Sequence, residues 1–204
     1  MHVRHPGLLR MPAKQYHADQ SIGHSGIIKL LKSPAHLREA LDHPSPPTPA
    51  MAFGSAVHTH VLEPDRFSEE FAVVEKFDRR TKEGKEAAAR FEQENQGKTL
   101  ITSDDLATLT RVRAAVHAHE GAARLFKQGE AELSAFWTDP LTGIPCRCRP
   151  DWFNGTAVVD LKSCVDASSR GFSRAIANLG YDIQAAFYVD GMKAVTGTEL
   201  PFLF

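Results

Sequence analysis

Cysteine is scarce in this chain. The three present, Cys146, Cys148 and Cys164, are an odd number, so they form no disulfide framework and suit a reducing compartment. Their Cys-x-Cys spacing does not match the four-cysteine sets of zinc sites or iron–sulfur clusters. Long apolar runs are also missing. No run reaches membrane-spanning length and the N-terminus has no uninterrupted apolar signal core, so no membrane partner and a soluble, cytoplasmic protein are expected. Net charge is nearly absent, at −1. Without a global basic field, any nucleic-acid partner has to be held by local patches. What is there is ordinary for a globular chain: 204 residues, 42% hydrophobic and 24% charged, enough for one domain with a core.

The N-terminal half reads as helical. Residues 1–20 carry little pattern and are expected to be a loose arm. Ser25 caps a short amphipathic helix ended near Ser33-Pro34, and Pro34 opens a second one with Leu37 and Leu41 on one face. Four prolines between His43 and Pro49 mark a linker. Small and apolar residues at 52, 53, 56, 57 and 61 then fit a packed helix that stops before Pro64. His58 and His60 are two apart on it and face different ways, so they cannot chelate together. Gly54 and Val57 permit a close backbone approach, which leaves two readings of His58: turned inward toward a site, or an ordinary hydrogen-bonded core or surface histidine. Residues 69–74 read as an edge strand, and residues 86–96 as a helix ended by Gly97. Ser103 caps the next helix, with Asp104 and Asp105 in its first turn. His117 and His119 are expected to face solvent.

From Glu130 the period becomes two. Ala131, Leu133, Ala135 and Trp137 alternate with Glu130, Glu132, Ser134 and Phe136. After a turn at Asp139-Pro-Leu-Thr-Gly143, Ile144, Cys146 and Cys148 alternate with Arg147, Arg149 and Asp151. The spacing predicts a three-stranded meander over residues 130–163 whose polar face carries the charges, Glu132 among them. Asn154-Gly155 is the strongest hairpin signal in the chain. A turn there sets Val158 opposite Asp151 and Asp160 opposite Arg149. Side chains two apart on a strand share a face. Asp151, Asp160 and Lys162 therefore emerge on one side, with the two aspartates diagonal neighbours roughly 7–8 Å apart. Close carboxylates repel unless one is protonated or a cation sits between them. With Lys162 beside them they read as a hard-metal site flanked by an ammonium; the alternative is a solvated hairpin with scattered charges. Beyond it, Ser168 or Ser169 caps a helix ended at Gly180. A second helix runs from Asp182 to Gly197, with Gln184 and Tyr188 on its polar side. Leu200-Pro-Phe-Leu-Phe204 starts an apolar strand, an ending that reads as a truncated sheet.

Taken in order, these motifs resemble the PD-(D/E)xK nuclease superfamily: Pro150-Asp151, a hairpin, then Asp160-Leu161-Lys162. Gln184-x-x-x-Tyr188 is similar to the Gln-x-x-x-Tyr motif of its RecB-like branch, and Gly54-Ser-Ala-Val-His58 to that branch's upstream helix. Gly143-Ile-Pro-Cys-Arg-Cys-Arg-Pro-Asp151, Val159-Asp-Leu-Lys162, Gln184-Ala-Ala-Phe-Tyr188 and His58-x-x-x-Leu62-Glu-Pro64 look most like segments of the RecE-type (exonuclease VIII) nuclease domains of prophages. The resemblance implies an α/β (α+β) fold with a restriction-endonuclease-like core, a central mixed sheet flanked by helices, and a helical N-terminal region. It implies a magnesium-dependent exonuclease that degrades linear double-stranded DNA from 5′ ends and passes the remaining strand to an annealing protein for recombination. A ring-shaped homo-oligomer threading the duplex would explain processivity without a basic surface. Carried over by motif, His58, Asp151, Asp160 and the Leu161 carbonyl ligate the metal, Lys162 is catalytic, and Glu132 is a second-tier acid nearby. Gln184 and Tyr188 orient the site or the phosphate. Mg²⁺ is the expected cofactor, and His58 would also suit Mn²⁺. Arg147 and Arg149 beside the acids, with Arg170 and Arg174 on the following helix, are expected to hold the DNA backbone or to balance the acids as surface pairs. Two other readings stay open: a structure-specific endonuclease of the same fold, and an inactive DNA-binding module.

Overall fold

The computed structural model describes residues 7–74 and 76–204. They pack as two compact units, one built from the chain up to Pro46 and again from Leu125 to Phe204, the other from Pro47–Arg124. The first unit opens with β1 (Gly7–Leu9), α1 (Ala13–His17), α2 (His24–Lys32) and α3 (Pro34–Asp42). The second holds α4 (Pro49–Leu62), α5 (Phe67–Glu70), β2 (Phe71–Val73), α6 (Lys82–Glu94), β3 (Thr99–Ile101) and α7 (Ser103–Ala118). Then α8 (Glu120–Leu125) leads back to β4 (Glu130–Ala131), β5 (Ser134–Thr138), β6 (Pro145–Cys148), β7 (Trp152–Phe153) and β8 (Val158–Val159). The chain closes with α9 (Ser169–Leu179), α10 (Tyr181–Thr196) and β9 (Phe202–Leu203). Among the described residues no helix is long and apolar enough to cross a membrane.

Local chemistry sets most of the helix ends. Ser33 accepts a hydrogen bond from the His36 amide with Pro34 in the first turn, Thr48 caps α4, and Ser168 caps α9. Two caps differ from expectation. Ser25 lies inside α2, which starts after Gly23 without a side-chain cap. Thr102, not Ser103, caps α7, because only Thr102 has an acid three residues on, and Asp105 closes a reciprocal capping box with it.

In the second unit α4 buries Ala56, Val57, Thr59 and Val61 and packs on α7, which buries Leu109. β2 and β3 form a parallel pair. The edge strand expected from residue 69 starts at Phe71, since Glu69 and Glu70 finish α5.

The first unit is built on two short sheets, ordered β1-β5-β6 and β4-β7-β8-β9. The expected meander is therefore split. β5 pairs antiparallel with β6, β4 pairs antiparallel with β7, and the two ladders share one register. The break falls between Glu132 and Pro150. Pro145 and Arg147 turn their backbone groups outward to Ile22. Alternation then leaves residues 146, 148 and 150 to bond β5, and Pro150 has no N–H to give. Beside the break Glu132 takes a left-handed φ of 56°, the one non-glycine residue with positive φ among the described residues.

β5 does not alternate as its sequence does. Ser134, Ala135, Phe136 and Trp137 are all buried. α10 covers one face, where Trp137 packs on Phe187 at 4.8 Å. The other is covered by residues expected to be a loose arm. Gly7–Leu9 pair with β5, and Tyr16 of α1 packs on Phe136 at 6.1 Å. Ala135, Trp137, Cys146, Cys148, Val158, Tyr188, Met192 and Leu200 form the core between the sheet and α10. Gly191 is required there, because the Trp137 ring packs so closely on α10 that it would stand 2.5 Å from a Cβ at that position.

Candidate active site

The hairpin after Asp151 is wider than the sequence suggests. Phe153 pairs with Val158 and Trp152 with Val159, leaving a four-residue loop instead of a two-residue turn. The Asn154 carboxamide explains it, accepting from the Thr156 and Ala157 amides and the Thr156 hydroxyl. The register is thus two residues away from the one expected. A slip of two keeps every side chain on its face. Asp160 now stands opposite Asp151, not diagonal to it and not opposite Arg149.

The break in the ladder completes the row of acids. Glu132 lies opposite Asp151, its amide donating to the Asp151 carbonyl at 3.1 Å. Carboxylate oxygens of Glu132 and Asp151 lie within 4.8 Å of each other. Glu132, Asp151 and Asp160 therefore stand side by side on three neighbouring segments. Asp151 is 8% exposed and Asp160 only 2%. Asp151 Oδ2 also accepts the Leu161 N–H at 2.6 Å, which fixes the backbone between Asp160 and Lys162. Asp160 is tied in turn to β9, its amide donating to the Leu203 carbonyl at 2.9 Å.

Three close acids need compensation, and two cations supply it. Arg149 Nε meets Glu132 Oε2 at 2.7 Å. Lys162 Nζ pairs with Asp160 Oδ2 and donates to Gln184 Oε1 at 2.9 Å. Gln184 Nε2 donates to Asp160 Oδ1 at 2.7 Å. A carboxylate only accepts and an ammonium only donates, so one orientation of the Gln184 amide satisfies both. Lys162, Asp160 and Gln184 form a closed triangle.

Several expected residues sit differently. Gln184 and Tyr188 are buried against the sheet, not on a polar side of α10. The Tyr188 phenol is held well above its ordinary pKa by burial first, then by Tyr16, Cys148, Asp160 and Asp151. Arg147 and Arg149 face inward. Arg147 donates to the Asp19 carbonyl, Arg149 to the Met11 carbonyl at 3.2 Å, and both guanidiniums lie over the Tyr16 ring, at 4.9 and 5.4 Å. The Arg149 side chain is 9% exposed. These two arginines hold the N-terminal segment and Glu132, and do not present themselves to a phosphate backbone. The reason is α1, which covers that face. Arg170 and Arg174 are exposed on α9 as expected. His58 is half-buried on α4 of the other unit.

Two neighbours of Lys162 carried little signal in the sequence. His24 Nε2 donates to the Gly180 carbonyl at 3.0 Å. Its pKa is lowered chiefly by burial, with Lys162 adding to that and the Gly180 bond opposing it. The Tyr181 ring centroid lies 4.4 Å from Lys162 Nζ. Tyr181 stands three residues before Gln184, on the same helix face, and that spacing is the one cue the sequence held.

A family model, the PDDEXK-like domain of unknown function (DUF3799), matches residues 23–204. The chain belongs to this family. Its mixed α/β fold is also that of a solved structure, a proposed exonuclease from Eubacterium rectale, with a TM-score of 0.57 at 19% identity over 96% of this chain and 72% of that one. No curated protein matches the sequence. The PDDEXK-like domain thus has the nuclease-type architecture that the motif order implied, and its signature residues Asp151, Asp160 and Lys162 meet at one place in the first unit. The donors that Glu132 and Asp151 bring together are carboxylate oxygens, a hard set that fits a divalent cation such as magnesium or manganese.

Proposed function

We propose that this PDDEXK-like domain is a divalent-metal-dependent deoxyribonuclease. The observation that carries the reading is the Asp160–Lys162–Gln184 triangle beside Asp151 and Glu132. It sets a fixed ammonium at the edge of a carboxylate site, where it can offset charge that builds up on a phosphodiester. A phosphodiester resists attack because its oxygens are negative. When bound, a divalent cation offsets that charge and lowers the pKa of its water. Asp151, Asp160 and Glu132 would hold it, with the Leu161 carbonyl and, by its motif, His58 as further ligands. Lys162 is held against Asp160 by an ion pair. It acts electrostatically, stabilising charge on the phosphate as the bond breaks. Gln184 keeps Lys162 aimed, and Tyr188 lines the buried side of the site. Arg170 and Arg174 on α9 are the exposed cations best placed to hold a DNA backbone.

The finer reading follows the motif resemblance. The substrate is the end of linear double-stranded DNA, digestion runs 5′ to 3′, magnesium is the cofactor with manganese as a substitute, and the product strand goes to an annealing protein. The same resemblance favours a ring-shaped homo-oligomer and a role in prophage recombination in the cytoplasm. The test is digestion of 5′- and 3′-labelled linear duplex, and of nicked circles, with magnesium, manganese or chelator. Loss of the 5′ label first, dependence on the cation and intact circles are expected. Cleaved circles would make it an endonuclease. If Asp160→Ala digests DNA as the parent does, the catalytic assignment is wrong.

A further inference from the structure

We infer that Tyr181 is a positioning residue for Lys162, its ring acting with the Gln184 amide to hold the ammonium against Asp160. This rests on the hydrolytic reading above. A lysine ammonium ends a stem of four rotatable bonds, so its position has to be imposed from outside. Asp160 and Gln184 supply two contacts. The third is the face of Tyr181, at 4.4 Å within cation–π range. The Lys162 side chain is only 16% exposed, and desolvation strengthens such a contact.

The ring is itself fixed. Tyr181 is the first residue of α10, directly after Gly180, whose left-handed φ of 68° makes the corner between α9 and α10. His24 clamps that corner through the Gly180 carbonyl. Phe172 and Phe204 flank the ring at 6.3 and 5.7 Å. Tyr181 and Gln184, three apart on one helix, therefore move as a unit, so α10 locates the ammonium by two chemically different contacts. A residue that merely filled space here would be replaceable by any apolar side chain of similar bulk. A positioning ring needs its π-face.

The test uses the full chain with Tyr181→Phe, Tyr181→Leu and a series of progressively fluorinated phenylalanines at 181, which drain the ring of negative potential at nearly constant shape. One readout is independent of activity: the Lys162 ε-methylene NMR signal, assigned by its loss in Lys162→Arg. The ring is expected to shift this signal upfield in the parent and in Tyr181→Phe, and Tyr181→Leu to abolish the shift. The second readout is turnover on labelled linear duplex. Tyr181→Leu should lower kcat roughly tenfold with KM unchanged, and Tyr181→Phe should rescue it. The fluorinated series should fall stepwise, and it decides the matter should Tyr181→Leu not fold. An unshifted Lys162 signal in the parent, a flat fluorinated series, or loss in Tyr181→Leu confined to KM overturns the inference. If the parent cleaves no DNA but the Lys162 signal responds as expected, it is the hydrolytic reading that fails.

Discussion

Gln184→Leu is the perturbation that most directly probes the site. Leucine fits the space but removes both ends of the bridge. Asp160 Oδ1 loses a donor at 2.7 Å and Lys162 an acceptor at 2.9 Å. Asp160 is 2% exposed, so little water can step in. A hydrogen bond to a charged group contributes about 1.5–3 kcal/mol. The remaining Asp160–Lys162 ion pair limits the damage, so the expected loss is about 3 kcal/mol. For a chain of this size that lowers Tm by roughly 6–12 °C. Urea titration and thermal scans without metal measure it. Gln184→Glu sharpens the argument. It keeps the shape but turns an oxygen toward Asp160, so the new carboxyl is held above its ordinary pKa. The folded state then binds more protons than the unfolded one. The deficit is therefore small in acid and grows as pH rises above about 4.3. A Gln184→Leu variant as stable as the parent, or a Gln184→Glu deficit flat with pH, would refute the triangle.

Other outcomes follow from the same structure. Glu132→Ala strands the nearly buried Arg149 guanidinium and should cost about 3 kcal/mol without metal; a double-mutant cycle with Arg149→Met should recover most of it. Gly191→Ala pushes a methyl into the Trp137 ring and should cost about 1–3 kcal/mol, seen as a lower urea midpoint with a shifted tryptophan emission. Burial holds the His24 imidazole below its ordinary value of 6.5, and His17 and His60 shift the same way. The unfolded chain then takes up protons first, so stability should be level between about pH 7 and 9 and fall as pH drops below 6.5, less steeply in His24→Gln. Tyr188 is raised above its ordinary 10.0 by burial. The unfolded chain loses that proton first, and stability should decline above pH 10, less steeply in Tyr188→Phe.

Much of this molecule is written in neighbouring residues. The helix opening at Pro34, the cap at Ser168, the helix stop at Gly197 and the strand period from Glu130 are short-range signals, and they mark their elements within a residue or two. The order of Asp151, Asp160, Lys162, Gln184 and Tyr188 was legible for the same reason, and so was the PD-(D/E)xK-like character of the domain, though not a finer branch. Even the misjudged hairpin register left Asp151 and Asp160 on one face, because a strand repeats every two residues and the error was two.

The sequence by itself determined which acids and which lysine share a surface. Only the tertiary structure decided what surrounds them. Tyr16 covers a strand 120 residues away in the chain, so β5 is buried on both faces and Arg147 and Arg149 turn inward. The ladder breaks at Pro150, and Glu132 beside that break stands opposite Asp151 and adds a third carboxylate. Gln184 reaches back 24 residues to Asp160. Contacts of this kind come from burial shared among distant segments, and no local spacing encodes them.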